Sequence, residues 1–185
     1  MEKIVVFDLD DTLWPLNIKA YNMANVDINK MNTFILSENE NITKEEQDRI
    51  MAVYNNPKLW ENIIYEPKAL EIYKLQQLGA KVYINSNCLN DDVATYKRSI
   101  LSRDFNLPED QIVLNVSSHA KKKNMIENMY IFADDSPFNI ANSKAKYNIV
   151  PNKTWNQTIE RTDIYRFNTF AEIYDFIEYI LVNNL

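Results

Sequence analysis

One glycine, one cysteine and one histidine occur in 185 residues. The single glycine, Gly79, excludes every glycine-rich phosphate loop, the dinucleotide fingerprint and the P-loop among them, so a bound phosphate must be held by other means. The single cysteine, Cys88, allows no intrachain disulfide and suits a reducing compartment. So little histidine and cysteine points any metal toward hard oxygen ligands, and Mg²⁺ is favoured over zinc. Positive charge is also short: 20 Lys and Arg stand against 26 Asp and Glu, a net charge of −6. That leaves no basic footprint for a nucleic-acid polymer, although a single nucleotide held locally is compatible with it. No apolar run reaches the length of a membrane span, and the opening MEKIVVF lacks the apolar stretch of a signal peptide. A cytoplasmic protein is expected, with no membrane partner.

What is present describes one folded core. Hydrophobic residues make up 46% of the chain, too many for disorder, and the length suits one domain with a modest insertion. Short continuous apolar runs recur at Ile4–Phe7, Val82–Ile84, Ile112–Leu114, Tyr130–Ala133 and Tyr147–Val150. Runs of this kind read as strands covered on both faces. Helical patterns lie between them, at 68–78 closed by Gly79, at 91–104 and near 138–145. Thr169 to Glu172 form a capping box that starts a last helix with the apolar face Ile173, Phe176, Ile177, Ile180 and Leu181. The expected fold class is therefore α/β, a Rossmann-like parallel sheet. Between Pro15 and about Pro67 the alternation breaks for some fifty residues, too many for a plain loop. That stretch carries a weak helical pattern over 20–36 and a second capping box, Thr43 to Glu46, ahead of Ile50, Met51, Val53 and Tyr54. Residues 1–14 and 67–185 are read as the α/β core and 15–66 as a small helical cap inserted after the first strand.

Three of the strand runs end in reactive side chains. Asp8, Asp10 and Asp11 follow Phe7; Asn85, Ser86 and Asn87 follow Ile84; Asp134, Asp135 and Ser136 follow Ala133. Ligands of open parallel sheets bind beyond the carboxyl ends of the strands, so these groups are expected to converge. Asp8, Asp10, Asp134 and Asp135 together would repel one another unless a cation sat among them. A divalent ion that keeps part of its shell for water and substrate phosphate resolves this, and the candidate ligands are those four acids, Asp135 directly or through water. A phosphate held there is open to attack by Asp8 as nucleophile. Asp10, two residues on, would protonate the leaving oxygen and then activate water. Ser86, with Asn87 beside it, would bind phosphoryl oxygens, and a lysine would balance the remaining charge.

These motifs resemble those of the haloacid dehalogenase superfamily of phosphohydrolases. Asp8-Leu9-Asp10-Asp11-Thr12 matches its DxDx[TV] motif, Ser86 its strand-ending Ser/Thr, and Asp134-Asp135 its paired acids. The resemblance places the family's lysine within Lys121–Lys123, with Lys123 favoured by spacing and Lys121 the alternative. A closer resemblance, carried by LWENIIYEP, Tyr96-Lys97, FADDSPFNI and VPNKTWNQ, is to the 5'(3')-deoxyribonucleotidases. It implies Mg²⁺, a nucleoside monophosphate substrate and an aspartyl-phosphate intermediate. It also implies cap aromatics that stack on the base: Trp60, with Trp14 and Phe34 as further candidates. Where relatives have glycine this chain has Asp11, so a different turn is expected, with the extra acid at the pocket or toward solvent.

Other readings remain open at this stage. The DLDxTLWP start is also similar to magnesium-dependent phosphatases acting on sugar phosphates or phosphoproteins, and a non-catalytic module that binds a phosphorylated ligand is a third possibility. Trp60 suits the packing of the cap as well as it suits a base. His119 reads as a surface residue, and Cys88 as a neutral thiol near the pocket. The sequence leaves room for a homodimer.

Overall fold

The computed structural model describes residues 2–116 and 126–185. Six parallel strands form one sheet: β1 (Lys3–Phe7), β2 (Ala80–Cys88), β3 (Ile112–Val116), β4 (Met129–Ala133), β5 (Tyr147–Pro151) and β6 (Ile164–Phe167). Their spatial order is β3-β2-β1-β4-β5-β6. The chain builds outward from β1 on one side and then crosses to the other, so the order reverses between β1 and β4. Ligand crevices form outside the carboxyl ends of strands at such a point.

Alternation along β1 sorts the core. Val5 and Phe7 face one side, with Val82, Ile84, Ile131 and Ala133, while Val6 faces the other, with Phe132 and Val150. The first side is covered by α3 (Asp91–Asp104) and α5 (Phe170–Val182), the second by the short α4 (Pro137–Asn142). With both faces covered, the strands need no polar alternation, which is why they read as plain apolar runs. The capping box at Thr169 forms as the sequence predicts: its hydroxyl accepts from Glu172 N–H, and Glu172 accepts from Thr169 N–H.

Three local features depart from the sequence reading. Residues Ala69–Leu78 wind as a 3₁₀ helix, whose three residues per turn line up Ala69, Ile72 and Leu75, all fully buried. Gly79 ends it at φ +82°; a side chain there would meet no atom within 4 Å, so the need for glycine is the backbone angle and not space. The helix expected over 20–36 is instead α1, Leu16–Met23, stopped where Asn25 turns left-handed. β6 was not visible as a strand, because Ile-Tyr-Arg-Phe is too short to establish a period.

Between β1 and the 3₁₀ helix Ala69–Leu78 lie α1, α2 (Lys44–Tyr54) and three 3₁₀ turns. The capping box of α2 forms at Thr43. This segment packs Tyr21, Ala24, Val26, Met31, Ile42 and Ile50 into a cluster of their own, which Trp155, from the stretch after β5, joins. No helix among the described residues is long and apolar enough to cross a membrane.

Candidate active site

Parallel register brings the first acids together. Phe7 pairs with Ala133, so Asp8 and Asp134 leave adjacent strands side by side, and Asp8 N–H donates to Ala133 O at 2.8 Å. Oxygens of Asp8, Asp134 and Asp135 lie within 4.8 Å of one another, all three residues buried. Asp134 accepts from Ser136 N–H (2.8 Å) and from Asn139 Nδ2 (3.2 and 3.1 Å), which fixes its plane. Asp135 accepts from Trp155 Nε1 at 2.7 Å, while Asn156 Nδ2 binds its backbone carbonyl. Burial, and then the charges of Asp11, Asp8 and Asp134, push the Asp135 carboxyl well above the usual carboxylate range, against the pull of the Trp155 N–H. A desolvated cluster of this kind is relieved by a proton or a cation, and its all-oxygen donor set fits a hard divalent ion.

Asp10 has different neighbours. Its carboxylate lies outside that cluster, so of the four acids expected at the metal three are gathered by their side chains. Oδ1 accepts from Trp14 Nε1 at 2.9 Å and Oδ2 from Lys97 Nζ at 2.5 Å. Lys97 Nζ also donates to Ser86 Oγ (2.9 Å) and to the carbonyl of Asn87 (2.8 Å), and it sits 4.5 Å from the centre of the Trp60 ring. Ser86 and Asn87 belong to β2, which continues past the end of β1 by pairing with β3 in register. Both therefore stand on rigid strand and not on the loop beyond it.

Asp11 keeps the turn that glycine would make. It adopts φ +57°, a left-handed angle that aspartate tolerates better than most residues. Its side chain turns inward, and both oxygens accept from Asn17 N–H (3.0 and 3.3 Å). The residue before α1, Pro15, supplies no side-chain cap, so Asp11 satisfies a free N–H of the first turn from outside the helix. Burial lifts its carboxyl to about 8, opposed first by the Asn17 N–H and then by Lys153, and reinforced by Asp10 and Asp8. Asn17 in turn accepts from Tyr54 of α2, which ties the two helices of the segment together.

The acids open into a cavity of about 270 Å³. Asp8, Asp10, Asp134 and Asp135 form its floor with Lys97 and Asn87, and Tyr21, Met31, Phe34, Leu36, Tyr54 and Trp60 form much of the wall. Phe34 is half-buried there, edge-on to Phe138 at 5.9 Å. Trp14, 1% exposed, is not on the wall; it packs behind it against Trp60, with ring centres 5.2 Å apart and planes tilted by 42°. Its assignment to a substrate base is therefore corrected. Cys88 is buried beside the site, where desolvation raises its thiol to about 11, the neutral thiol expected.

No protein-family model matches the sequence, and no curated protein matches it. Solved structures do match, over nearly the full length of both chains. A haloacid dehalogenase-like hydrolase from Streptococcus pneumoniae is 13% identical, covers 95% of this chain and 98% of its own, and has a TM-score of 0.61. A hydrolase from Pseudomonas syringae is 16% identical with 97% and 99% covered and a TM-score of 0.60. A family IA hydrolase from Entamoeba histolytica is 16% identical with 99% and 100% covered and a TM-score of 0.56. The fold is that of the haloacid dehalogenase-like hydrolases.

Within this haloacid dehalogenase-like fold, the residues expected from sequence fall into three groups. Asp8, Asp10, Ser86, Asn87, Asp134 and Asp135 come together at the carboxyl ends of β1, β2 and β4. Trp60 and Phe34 reach the cavity from the segment between β1 and β2. Lys121, Lys122, Lys123 and His119 lie outside the described residues. Sequence reasoning passed over Lys97 as a member of the site. Its signal was there: Val93, Lys97, Ile100 and Leu101 are the buried stripe of α3, so a lysine stands at an apolar position. Trp155 and Asn156 were missed because no acid follows β5, the strand that leads to them.

Proposed function

We propose that the protein is a Mg²⁺-dependent phosphomonoesterase that hydrolyses nucleoside monophosphates, 5'(3')-deoxyribonucleotides foremost. The observation that carries this reading is the junction of two environments in one cavity. A buried acid triad, Asp8, Asp134 and Asp135, shares the cavity with Lys97, whose ammonium donates to Ser86 just behind the lining, and with an aromatic and aliphatic wall. The floor suits a phosphate and the wall a flat, weakly polar leaving group.

Asp8, Asp134 and Asp135 would hold the Mg²⁺. When bound, the ion screens the negative charges of nucleophile and phosphate. A carboxylate oxygen of Asp8 forms a bond to phosphorus while the ester P–O bond breaks, and the departing oxygen takes a proton from Asp10. Water then attacks the same phosphorus, gives its proton to Asp10, and frees Asp8 and inorganic phosphate. Lys97 and Ser86 donate to the phosphoryl oxygens, on which charge is spread during transfer. Trp155 and Asn139 keep Asp135 and Asp134 oriented throughout. Residues 15–66 act as a cap, with Phe34 and Trp60 against the base.

The test is phosphate release from a panel of deoxyribonucleoside and ribonucleoside monophosphates and sugar phosphates, with Mg²⁺ or with EDTA. Turnover of nucleotides that EDTA abolishes is the expected result. Turnover of a sugar phosphate with none of any nucleotide overturns the substrate assignment, and undiminished turnover in EDTA overturns the metal.

A further inference from the structure

Trp14 and Trp60 stand at the two ends of the inserted segment, where the chain leaves β1 and where it starts back toward β2. Each holds one member of the Asp10–Lys97 ion pair. Trp14 Nε1 donates to Asp10 at 2.9 Å, the Trp60 ring covers the Lys97 ammonium at 4.5 Å, and the two indoles pack at a 42° tilt with ring centres 5.2 Å apart. Together with the 2.5 Å ion pair, this makes a closed ring of four contacts: Asp10, Trp14, Trp60, Lys97 and back to Asp10.

The parts of the ring are fixed independently. Trp14 is anchored through its backbone, with Asp11 N–H donating to Trp14 O at 2.8 Å and Asp10 bridging to Trp14. Lys97 is 2% exposed and rides on the long helix α3. Trp60 is 3% exposed, and its indole N–H has no hydrogen-bond partner among the described residues. What Trp60 contributes is therefore its ring, whose face attracts the desolvated ammonium and which packs against Trp14.

We propose that Trp14 and Trp60 are positioning residues: the packed indole pair holds Asp10 and Lys97 in register, so that the acid meets the leaving oxygen while the ammonium meets the phosphoryl group. The inference rests on Asp10 being the acid of the reaction. It makes Trp14 a clamp joining the ends of the inserted segment to the proton donor, and gives Trp60 that role in addition to the base contact proposed above.

The leaving group provides a readout that packing alone would not move. Protonation matters for a poor leaving group and little for a good one, and kcat/KM reports the chemistry only through transfer to Asp8. The probes are phenyl phosphate and 4-nitrophenyl phosphate, alike in shape and different in leaving ability, each with Mg²⁺. Asp10→Asn is the reference. Trp14→Phe removes the N–H and keeps a ring, and Trp60→Leu removes the aromatic face, with Trp60→Met in its place should that variant not fold. We expect both tryptophan variants to lose about tenfold or more in kcat/KM on phenyl phosphate and at most about threefold on the nitrophenyl ester. Trp60→Phe, which keeps an aromatic face and gives up no hydrogen bond, should recover most of the loss. Equal losses on both esters, or none, while Asp10→Asn discriminates between them, overturn the clamp and leave the acid assignment standing. If Asp10→Asn itself does not discriminate, the acid assignment falls and the clamp with it.

Discussion

Asp8 and Asp10 stand two residues apart on one extended stretch, yet their surroundings are opposite. Asp8 is crowded by other carboxylates, Asp134 and Asp135, in a buried pocket that accumulates negative charge. Asp10 is met by donors, an indole N–H on one oxygen and an ammonium on the other. The first environment calls for a cation from outside, whereas the second brings its own. Two identical side chains, two residues apart, thus meet opposite electrostatic surroundings.

That contrast can be broken from either side. The largest effect is expected from Asp8→Asn, which removes the attacking oxygen and should reduce phosphate release to background. Full activity in that variant would remove Asp8 from the chemistry. Asp10→Asn comes next, with a fall in kcat of about 10²- to 10⁴-fold, measured by steady-state phosphate release. On the acidic side, Trp155→Phe takes away a donor that orients Asp135 and should weaken Mg²⁺ binding about 10-fold, read by calorimetric titration. Mg²⁺ must also displace the proton that the raised Asp135 carboxyl holds, so the apparent affinity should climb as pH rises.

Much of this division was legible in the sequence. Asp8 and Asp134 could be placed because each follows an apolar run, and the ends of parallel strands are where ligands bind. Ser86 was found by the same reasoning, although β2 runs on past it. Lys97 escaped because the reading followed strand ends, and a lysine beside Tyr96 and Arg98 looks like the wet side of a helix until its spacing from Val93 and Ile100 is counted. The partners of Trp14 were out of reach for a different reason. Its contact with Trp60 spans nearly fifty residues of short helices and turns, and no periodicity connects the two.

Two smaller effects sharpen the comparison. Asp11 shares the burial of Asp8 but has no metal role, and its raised carboxyl has a consequence for stability. Because the folded chain binds that proton more tightly than the unfolded chain does, stability from this residue is greatest below about pH 4 and is lost as pH climbs toward 8. Asp11→Asn keeps the left-handed turn and one acceptor for Asn17 N–H, so it should raise the Tm of the metal-free protein at pH 8 and flatten the decline between pH 4 and 8. An unchanged pH profile would show that the burial of Asp11 is not felt in folding. The smallest effect is Thr169→Ala, far from both acids. Loss of the capping box should cost about 1 kcal/mol in denaturant unfolding and leave the ratio of rates on the two phenyl esters unchanged.

The order of the strands also sets a timetable for folding. β1 is made first but sits in the middle of the sheet, and its two neighbours, β2 and β4, begin about 75 and 125 residues later in the chain. Until they arrive, Ile4 to Phe7 is an unpaired, strongly apolar edge on both sides, and the pairings that bury it close long loops. Asp8 and Asp134 meet only at the last of these pairings, so the charged pocket is assembled late, on a sheet already half built. A growing chain therefore exposes its stickiest segment for the longest time, which makes β1 the place where misassociation between nascent copies would begin.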